Sequence, residues 1–281
     1  MSDIVVVGHG AVGITVAVAL SSSSRKIILA GPRGTPEGRQ LYTAGGYINR
    51  SAEIFHTAID RVSHRAVVVS ALKAFSIRNA ASDIRRISNG KILCLSNGMN
   101  LEEEWGELAG EVEYGVLSIG FRKTGQFSVS TTEGSIYGSA RGDIAGLFRN
   151  SDIPFQEVAE INEFRWAKWY ANSIINPIAA LAGLENNKLI EAGLLPLITG
   201  LSLEVSKLMP TRESRVAGDD ILTWLLKNSS NRCSMLQDIE KELPTEIDFL
   251  TGLCEKRLPG QCPRASVLTS LIRARTRAGN S

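Results

Sequence analysis

Two hydrophobic rhythms divide the chain. Before about residue 160 the apolar residues come in short, β-branched runs: IVVVG at 4 to 8, KIILA at 26 to 30, the start of RAVVVSALKAF at 65 to 75 and of KILCLSNGMN at 91 to 100. Runs this brief and this rich in Val and Ile predict strands buried on both faces. From 112 to 138, VEYGVLSIGF, FSVST and SIYG predict further short strands around the polar turn Lys123-Thr124-Gly125, extending the sheet in an antiparallel sense before a short helix around 141 to 149. After Glu160 the spacing becomes helical, at roughly 161 to 182, 186 to 207, 212 to 228, 238 to 257 and 264 to 277. The expected architecture is an α/β domain over 1–160 followed by an all-α domain over 161–281, in firm contact across a cleft, with the change of period marking the boundary.

The first strand runs into GHGAVG at 8 to 13 and then into ITVAVALSSSS, whose small and apolar residues suit a helix packed closely on a sheet. A bare GxGxxG is weak evidence, but strand, glycines and helix in this order are the context that a Rossmann-like dinucleotide-binding domain requires. Gly8 would allow the tight turn, Gly10 the approach of backbone to a pyrophosphate, and Gly13 close helix-to-strand packing, with His9, Ala11 and Val12 completing the loop. The competing reading is an ordinary glycine-rich turn. After KIILA the chain continues GPRG, with no acid before Glu37 to accept from a ribose 2′-hydroxyl, which favours NADP(H) over NAD(H) and makes Arg33 the candidate 2′-phosphate clamp. A solvated loop arginine is the alternative. Lys73 and Asn97 follow strand ends, where open parallel sheets bind ligands; a surface lysine and an Asn-Gly turn are equally good readings of those two residues.

In the helical half, FRWAKWYANSIINPIAALAG at 164 to 183 places Lys168, Asn172 and Asn176 four residues apart on one narrow stripe, with Trp169 and Ser173 beside it. Either the lysine reaches solvent, or the stripe is a polar seam in a buried helix. Pro177 removes a backbone donor and predicts a kink near Asn176. Further on, Ser234 is placed either to cap the helix that follows or to contact a ligand, while Glu246 and Asp248 sit among apolar Ile247, Phe249 and Leu250.

Composition narrows the field. Hydrophobic residues make up 43% and charged residues 21% of the 281, the values of a globular chain, and a net charge of +2 gives no reason to expect a nucleic-acid partner. Arg273, Arg275 and Arg277 read as a solvated end. The first residues lack the pattern of a secretory leader or membrane span. Cys94, Cys233, Cys254 and Cys262 are scattered, and none pairs with another cysteine or a histidine at zinc spacing, so no metal is expected and reduced cysteines in a cytoplasmic protein are the economical account.

Taken together, GHGAVG, SALKAF, SNGM, KWYANSIINPIAAL and CSMLQDIEKELPTEIDFLTG, in this order and over nearly the whole chain, resemble the motifs of the ketopantoate reductases. The resemblance implies NADPH-dependent reduction of 2-dehydropantoate to D-pantoate, feeding pantothenate and coenzyme A synthesis. It implies Lys168 as catalytic lysine and Glu246 as essential glutamate, with Asn172, Asn176 and Ser234 on the substrate and Lys73 and Asn97 on the cofactor side. The partner is then a small 2-oxo acid, with a homodimer left open.

The chain also departs from the family. LCEKRLPGQC is about one helical turn short, Pro259-Gly260 should stop a helix early, Ala265 stands where an asparagine is common, FSVST replaces a histidine-bearing strand, and His9 replaces a small or thiol-bearing residue. These leave room for reduction of another 2-oxo acid, for an opine-type imine reductase, and for a catalytically silent NADP-binding regulator.

Overall fold

A computed structural model of the chain describes residues 3–139 and 144–278, without the side chains of 277 and 278. It divides into two compact units, Met1–Ser96 with Glu102–Ile161, and Asn97–Leu101 with Asn162–Ser281. The first is mixed α/β and the second is helical.

In the first unit β1 (Ile4–Val7) lies at the centre of the sheet and is fully buried, which is why it is apolar at every position. It pairs in parallel with β2 (Ile27–Gly31) and β5 (Ala66–Ser70), so that Val7 faces Ala30 on one side and Ser70 on the other. The helix α1 (Ala11–Leu20) crosses between β1 and β2, and its small residues bury almost completely. β3 (Gly38–Gly46) and β4 (Arg50–Ala58) form an antiparallel hairpin whose second strand joins β2 in parallel. On the other side, α2 (Ile77–Ile87) leads into β6 (Ser88–Cys94), which pairs with β5, and the short α3 (Glu102–Trp105) leads into β7 (Val112–Leu117).

The remaining strands cap both ends. β8 (Phe121–Lys123) and β9 (Ser128–Thr131) are antiparallel to each other, and β9 runs parallel to β3. β10 (Ile136–Ser139) is antiparallel to β7, and β11 (Phe155–Val158), after α4 (Ile144–Phe148), is parallel to β10. Among the described residues the eleven strands follow the order β11-β10-β7-β6-β5-β1-β2-β4-β3-β9-β8.

The buried runs were therefore legible as strands, and the stretch from 112 to 138 does extend the sheet, with β8, β9 and β10 supplying the expected antiparallel pairs. The β3–β4 hairpin, α2 and β11 were not anticipated. The hairpin alternates only weakly, because much of it is partly exposed, whereas the buried Ile77, Ile84 and Ile87 of α2 do repeat with helical spacing. The helix expected around 141 to 149 is observed as α4, and residues 140–143 lie outside the described part.

The second unit is built on α5 (Ile161–Ala182), whose Trp169, Tyr170, Ala171, Ile174, Ile175, Ile178 and Ala179 enter its core. Each large side chain removed from water contributes on the order of 1.5–3 kcal/mol, enough to hold a helix that also carries polar groups. α6 (Leu195–Val205), α7 (Arg212–Asn228), α8 (Ser234–Glu240), α9 (Thr251–Arg257) and α10 (Pro263–Ala278) complete the unit. Gly218 of α7 lets that helix close on α5: an added Cβ would lie 2.8 Å from the Tyr170 ring. The Tyr170 hydroxyl donates to Asp219 at 2.8 Å.

α5 continues as a helix through Pro177. Two other helix expectations are corrected. The helix predicted over 186 to 207 begins as a helix only at Leu195, and the one over 238 to 257 is split into α8 and α9, with a short 3-10 turn, Ile247–Phe249, between them. Pro244 explains the split, since it cannot supply the donor a continuous helix needs there. α9 does end early, at Arg257, with Gly260 just beyond it at φ 75°. Arg273 is not a merely solvated end: it binds Asp248 at 2.8 Å and Glu255 at 2.8 Å, whereas Arg275 is exposed and the side chain of Arg277 lies outside the described part.

Ala265 has a structural setting. The buried carboxylate of Glu204 accepts from the backbone N–H groups of Arg264 and Ala265 at 3.2 and 3.0 Å, and from the Arg264 guanidinium at 3.0 Å. A negative group at the start of α10 meets otherwise unpaired donors and the positive end of the helix dipole.

Candidate active site

In the first unit the glycine loop joins β1 to α1. Gly8 adopts φ +122°, and an added Cβ would lie 2.8 Å from the Ala71 carbonyl oxygen. Gly13 is tighter still, with its would-be Cβ 1.8 Å from the Gly8 carbonyl oxygen, so helix and strand touch backbone to backbone. Gly10 differs from both: nothing lies within 4 Å of its Cβ position, and it is the N-cap of α1 with no side chain capping the helix. The start of α1 thus presents backbone donors beside open space, the arrangement a pyrophosphate needs, while Ala11 and Val12 pack partly against the sheet core. The loop fits a dinucleotide.

The strand ends around it are placed as follows. Lys73 lies three residues beyond β5 and precedes a 3-10 turn, Ala74–Ser76, with the Ser76 N–H donating to its carbonyl at 2.9 Å. Arg33 does have a carboxylate nearby, contrary to the sequence reading: its guanidinium lies 3.3 Å from Asp83 of α2, with the arginine side chain 72% exposed. No signal near Arg33 in the sequence could show this, because Asp83 is fifty positions away. His9 turns its ring over Gly31, the last residue of β2.

In the second unit Lys168 and Glu246 come together. Lys168 keeps only a partly accessible surface, and desolvation of its ammonium lowers its pKa from 10.5 to about 8, against the opposing attraction of the Glu246 carboxylate. Glu246 is 5% exposed and precedes the 3-10 turn Ile247–Phe249. Asn172 is partly buried and Asn176 is 6% exposed, on the stripe of α5 that their spacing predicted. The stripe is a polar seam in a buried helix and not a wet face.

Trp169, 1% exposed, ties the lysine's helix to the glutamate's turn: its indole N–H donates to the Phe249 carbonyl at 3.0 Å, and the N–H of Met99 donates to the same oxygen at 3.4 Å. Gly98, at φ +99°, permits this approach, since an added Cβ would lie 2.7 Å from that of Phe249. The segment Asn97–Leu101 therefore belongs with the helical unit, and Met99 enters its core. Asn97 is thus grouped with the helical unit, whereas Lys73 stays in the α/β unit.

Ser234 is the first residue of α8 and not its cap. Cys233 holds that place, with its sulfur accepting from the Leu236 N–H at 3.4 Å and donating to the Asn176 carbonyl at 3.6 Å. Burial pushes the Cys233 thiol up to about 11, so it stays protonated and acts as a donor. Ser234 remains partly accessible, released from capping, while Asp248 is exposed and engaged with Arg273. The sequence reading missed Trp169 as a tether because its bond spans eighty positions, and Cys233 as a cap because cysteine is not among the residues that commonly cap a helix.

The helical unit thus carries a lysine of lowered pKa, a buried carboxylate and two asparagines, and the α/β unit, by itself, carries an open glycine loop. The family model described as ketopantoate reductase PanE/ApbA matches residues 4–141, and its C-terminal counterpart matches 160–276. The chain belongs to the ketopantoate reductase family.

Membership places it among dinucleotide-dependent oxidoreductases of small 2-oxo acids. A 2-dehydropantoate 2-reductase of Vibrio cholerae is 26% identical over 268 residues, covering 89% of this chain and 88% of that protein. Among solved structures, the dimeric ketopantoate reductase of Staphylococcus aureus superposes with a TM-score of 0.83 at 20% identity, covering 99% of each chain. D-mandelate dehydrogenase, solved with NADH and anilino(oxo)acetate, superposes with a TM-score of 0.85 at 18% identity, covering 99% of this chain and 100% of that one. At these identities the structural likenesses establish the fold. Among the described residues no group of three or more His, Cys, Asp and Glu side chains could hold a metal, and no helix is long and apolar enough to cross a membrane.

Proposed function

We propose that this chain reduces 2-dehydropantoate to D-pantoate with NADPH, a step toward pantothenate and coenzyme A, with residues 1–160 binding the nucleotide and 161–281 the substrate. The observation that carries the reading is Lys168, brought to about 8 by burial beside Glu246 on a helix that also presents Asn172 and Asn176. The proposed setting is the cytoplasm, with a homodimer as the assembly.

When bound, NADPH supplies the hydride that adds to the keto carbon. The residues of the chain handle the oxygen. Negative charge grows there as the carbonyl is reduced, and the Lys168 ammonium, as hydrogen-bond donor, stabilises that charge more than it stabilises the ground-state ketone. A pKa near 8 also lets the same group deliver the proton that completes the hydroxyl. Glu246 keeps the ammonium charged and orients it. Asn172, Asn176 and Ser234 hold the substrate's hydroxyl and carboxylate. Around the nucleotide, Gly8, Gly10 and Gly13 give backbone access to the pyrophosphate, His9, Ala11 and Val12 line the loop, and Arg33, Lys73 and Asn97 complete the nucleotide contacts, with Arg33 leaving Asp83 to reach the 2′-phosphate.

A second reading, reduction of a different 2-oxo acid on the same scaffold, is favoured by the likeness to D-mandelate dehydrogenase, whose structure holds NADH and anilino(oxo)acetate. The test is NADPH and NADH oxidation across a panel of 2-oxo acids, with and without amines, using Lys168→Ala as control. Activity on ketopantoate with NADPH, abolished in the variant, is the expected result. A higher kcat/KM on another acid overturns the substrate, a requirement for an amine points to an imine reductase, and oxidation of neither cofactor leaves only a silent nucleotide-binding protein.

A further inference from the structure

The end of β2 is where nicotinamide sites select between cofactors, because a carboxylate there accepts from the 2′-hydroxyl of NAD and repels the 2′-phosphate of NADP. In this chain the strand ends in Gly31, and the place a side chain would take is filled by another residue. A Cβ added at Gly31 would lie 2.3 Å from Cε1 and 2.5 Å from Nδ1 of His9, and 2.4 Å from Oγ1 of Thr35. Contacts this short cannot persist, so one of the groups has to move.

The His9 ring is braced against moving. The Leu29 backbone within β2 lies close enough to act on it. Its edge meets His56 of β4 with ring centroids 6.4 Å apart, His56 meets Tyr42 of β3 at 6.2 Å, and Tyr42 meets Phe127 at 5.4 Å, each pair near perpendicular. Thr35 is held from the other side by its bond to the Pro32 carbonyl at 2.8 Å. The charged and titratable groups that act on His9 are His56 from β4 and Lys123 from β8, both of basic type. Glu37 is engaged by the Thr57 hydroxyl at 3.2 Å, and Asp83 by Arg33.

We propose that His9 is a specificity-determining residue: by occupying the space over Gly31 it excludes a ribose-binding carboxylate from the end of β2, so that no acid stands there to repel a 2′-phosphate. The inference rests on the dinucleotide reading above and goes beyond the backbone role of the glycine loop. It makes His9 and any side chain at position 31 mutually exclusive occupants of one volume.

The test is a double-mutant cycle on the apo protein and on nucleotide binding, with no acid substrate present. Gly31→Ala adds only the colliding Cβ and is expected to lower Tm by about 3–10 °C, the range for an overpacked site in a chain of this size. His9→Ala combined with Gly31→Ala should recover more than half of that loss. For selectivity, Gly31→Asp alone should weaken both cofactors, whereas His9→Ala with Gly31→Asp should move the NADPH-to-NADH ratio of dissociation constants about tenfold or more toward NADH, as nucleotide fluorescence reads it. Absence of Tm recovery overturns the shared-volume argument, and an unchanged ratio in the aspartate double variant overturns the selectivity role. If the wild type binds neither nucleotide, the dinucleotide reading itself fails, with the role assigned to His9, whatever the stability cycle shows.

Discussion

The glycine loop and the Lys168 helix solve opposite problems. The loop works by missing side chains: Gly8 and Gly13 are pressed against backbone, whereas Gly10 faces open space, so the same residue type serves packing at two positions and access at the third. The helix works by side chains held where water is scarce. Lys168, Asn172 and Asn176 are tolerated in a core helix because its other faces bury Trp169, Tyr170 and a series of isoleucines, and the burial that stabilises the helix also shifts the lysine. Binding surface and chemical reactivity thus have different structural costs in the two units, and substitutions can separate them.

The largest effect is expected at the helix. Lys168→Ala should lower kcat for reduction by about 10²–10³-fold, the usual consequence of losing a donor to a developing oxyanion, while the dissociation constant of NADPH stays within a factor of two of wild type, on the order of what an untouched site shows. A comparable loss of nucleotide binding would erase the division of labour between the two regions.

The two kinds of glycine come next. Gly13→Ala drives a methyl into the Gly8 carbonyl and should cost about 3 kcal/mol or more, seen as a fall in Tm of several degrees. Gly10→Ala should leave Tm unchanged and weaken nucleotide binding by about tenfold, since only an incoming ligand competes for that space. Equal melting losses in both variants would show that Gly10 is packed after all.

A pH profile sharpens the contrast from the helix side. The Lys168 pKa is lowered to about 8, so the ammonium required for reduction is present below that value and is lost as pH rises through it; kcat should fall on the alkaline side with that midpoint. Glu246 raises the lysine's pKa, so Glu246→Gln should move the falling limb to lower pH. A limb that stays near 10.5 in the wild type would mean that the ammonium is solvated.

The smallest change is Trp169→Phe. It deletes the indole N–H that reaches Phe249 and keeps most of the ring's packing, so stability should fall by about 1 kcal/mol. The alkaline limb should shift in the wild-type background and not in Glu246→Gln, because the tether acts on the lysine through the glutamate's turn. An equal shift in both backgrounds would assign Trp169 a general packing role.

Much of the fold could be read from the chain. The central strands declared themselves as β-branched runs, and α5 and α7 have the bounds their spacing predicted. The β3–β4 hairpin escaped because strands that are exposed along much of their length carry little pattern, and the 238 to 257 helix was overextended because apolar spacing continued across a break that Pro244 imposes. In the site, the stripe of Lys168, Asn172 and Asn176 was visible as spacing alone. That Glu246, seventy-eight positions from Lys168, stands beside it was legible only through family motifs, as no local rule connects a helix residue to a distant turn.

By itself the sequence determined the local geometry that short-range sterics and periodicity govern: the glycine turn, the buried strands, the shared face of the three polar residues on α5 and the absence of an acid after the second strand. Tertiary structure decided what those groups meet. It gave Arg33 a carboxylate, placed Cys233 and not Ser234 at the head of α8, drew the 97–101 segment onto Phe249 and set the His9 ring over Gly31. Each of these depends on groups brought close by packing of the whole unit, and hydrogen bonding, desolvation and steric exclusion act over a few ångströms in space irrespective of separation along the chain.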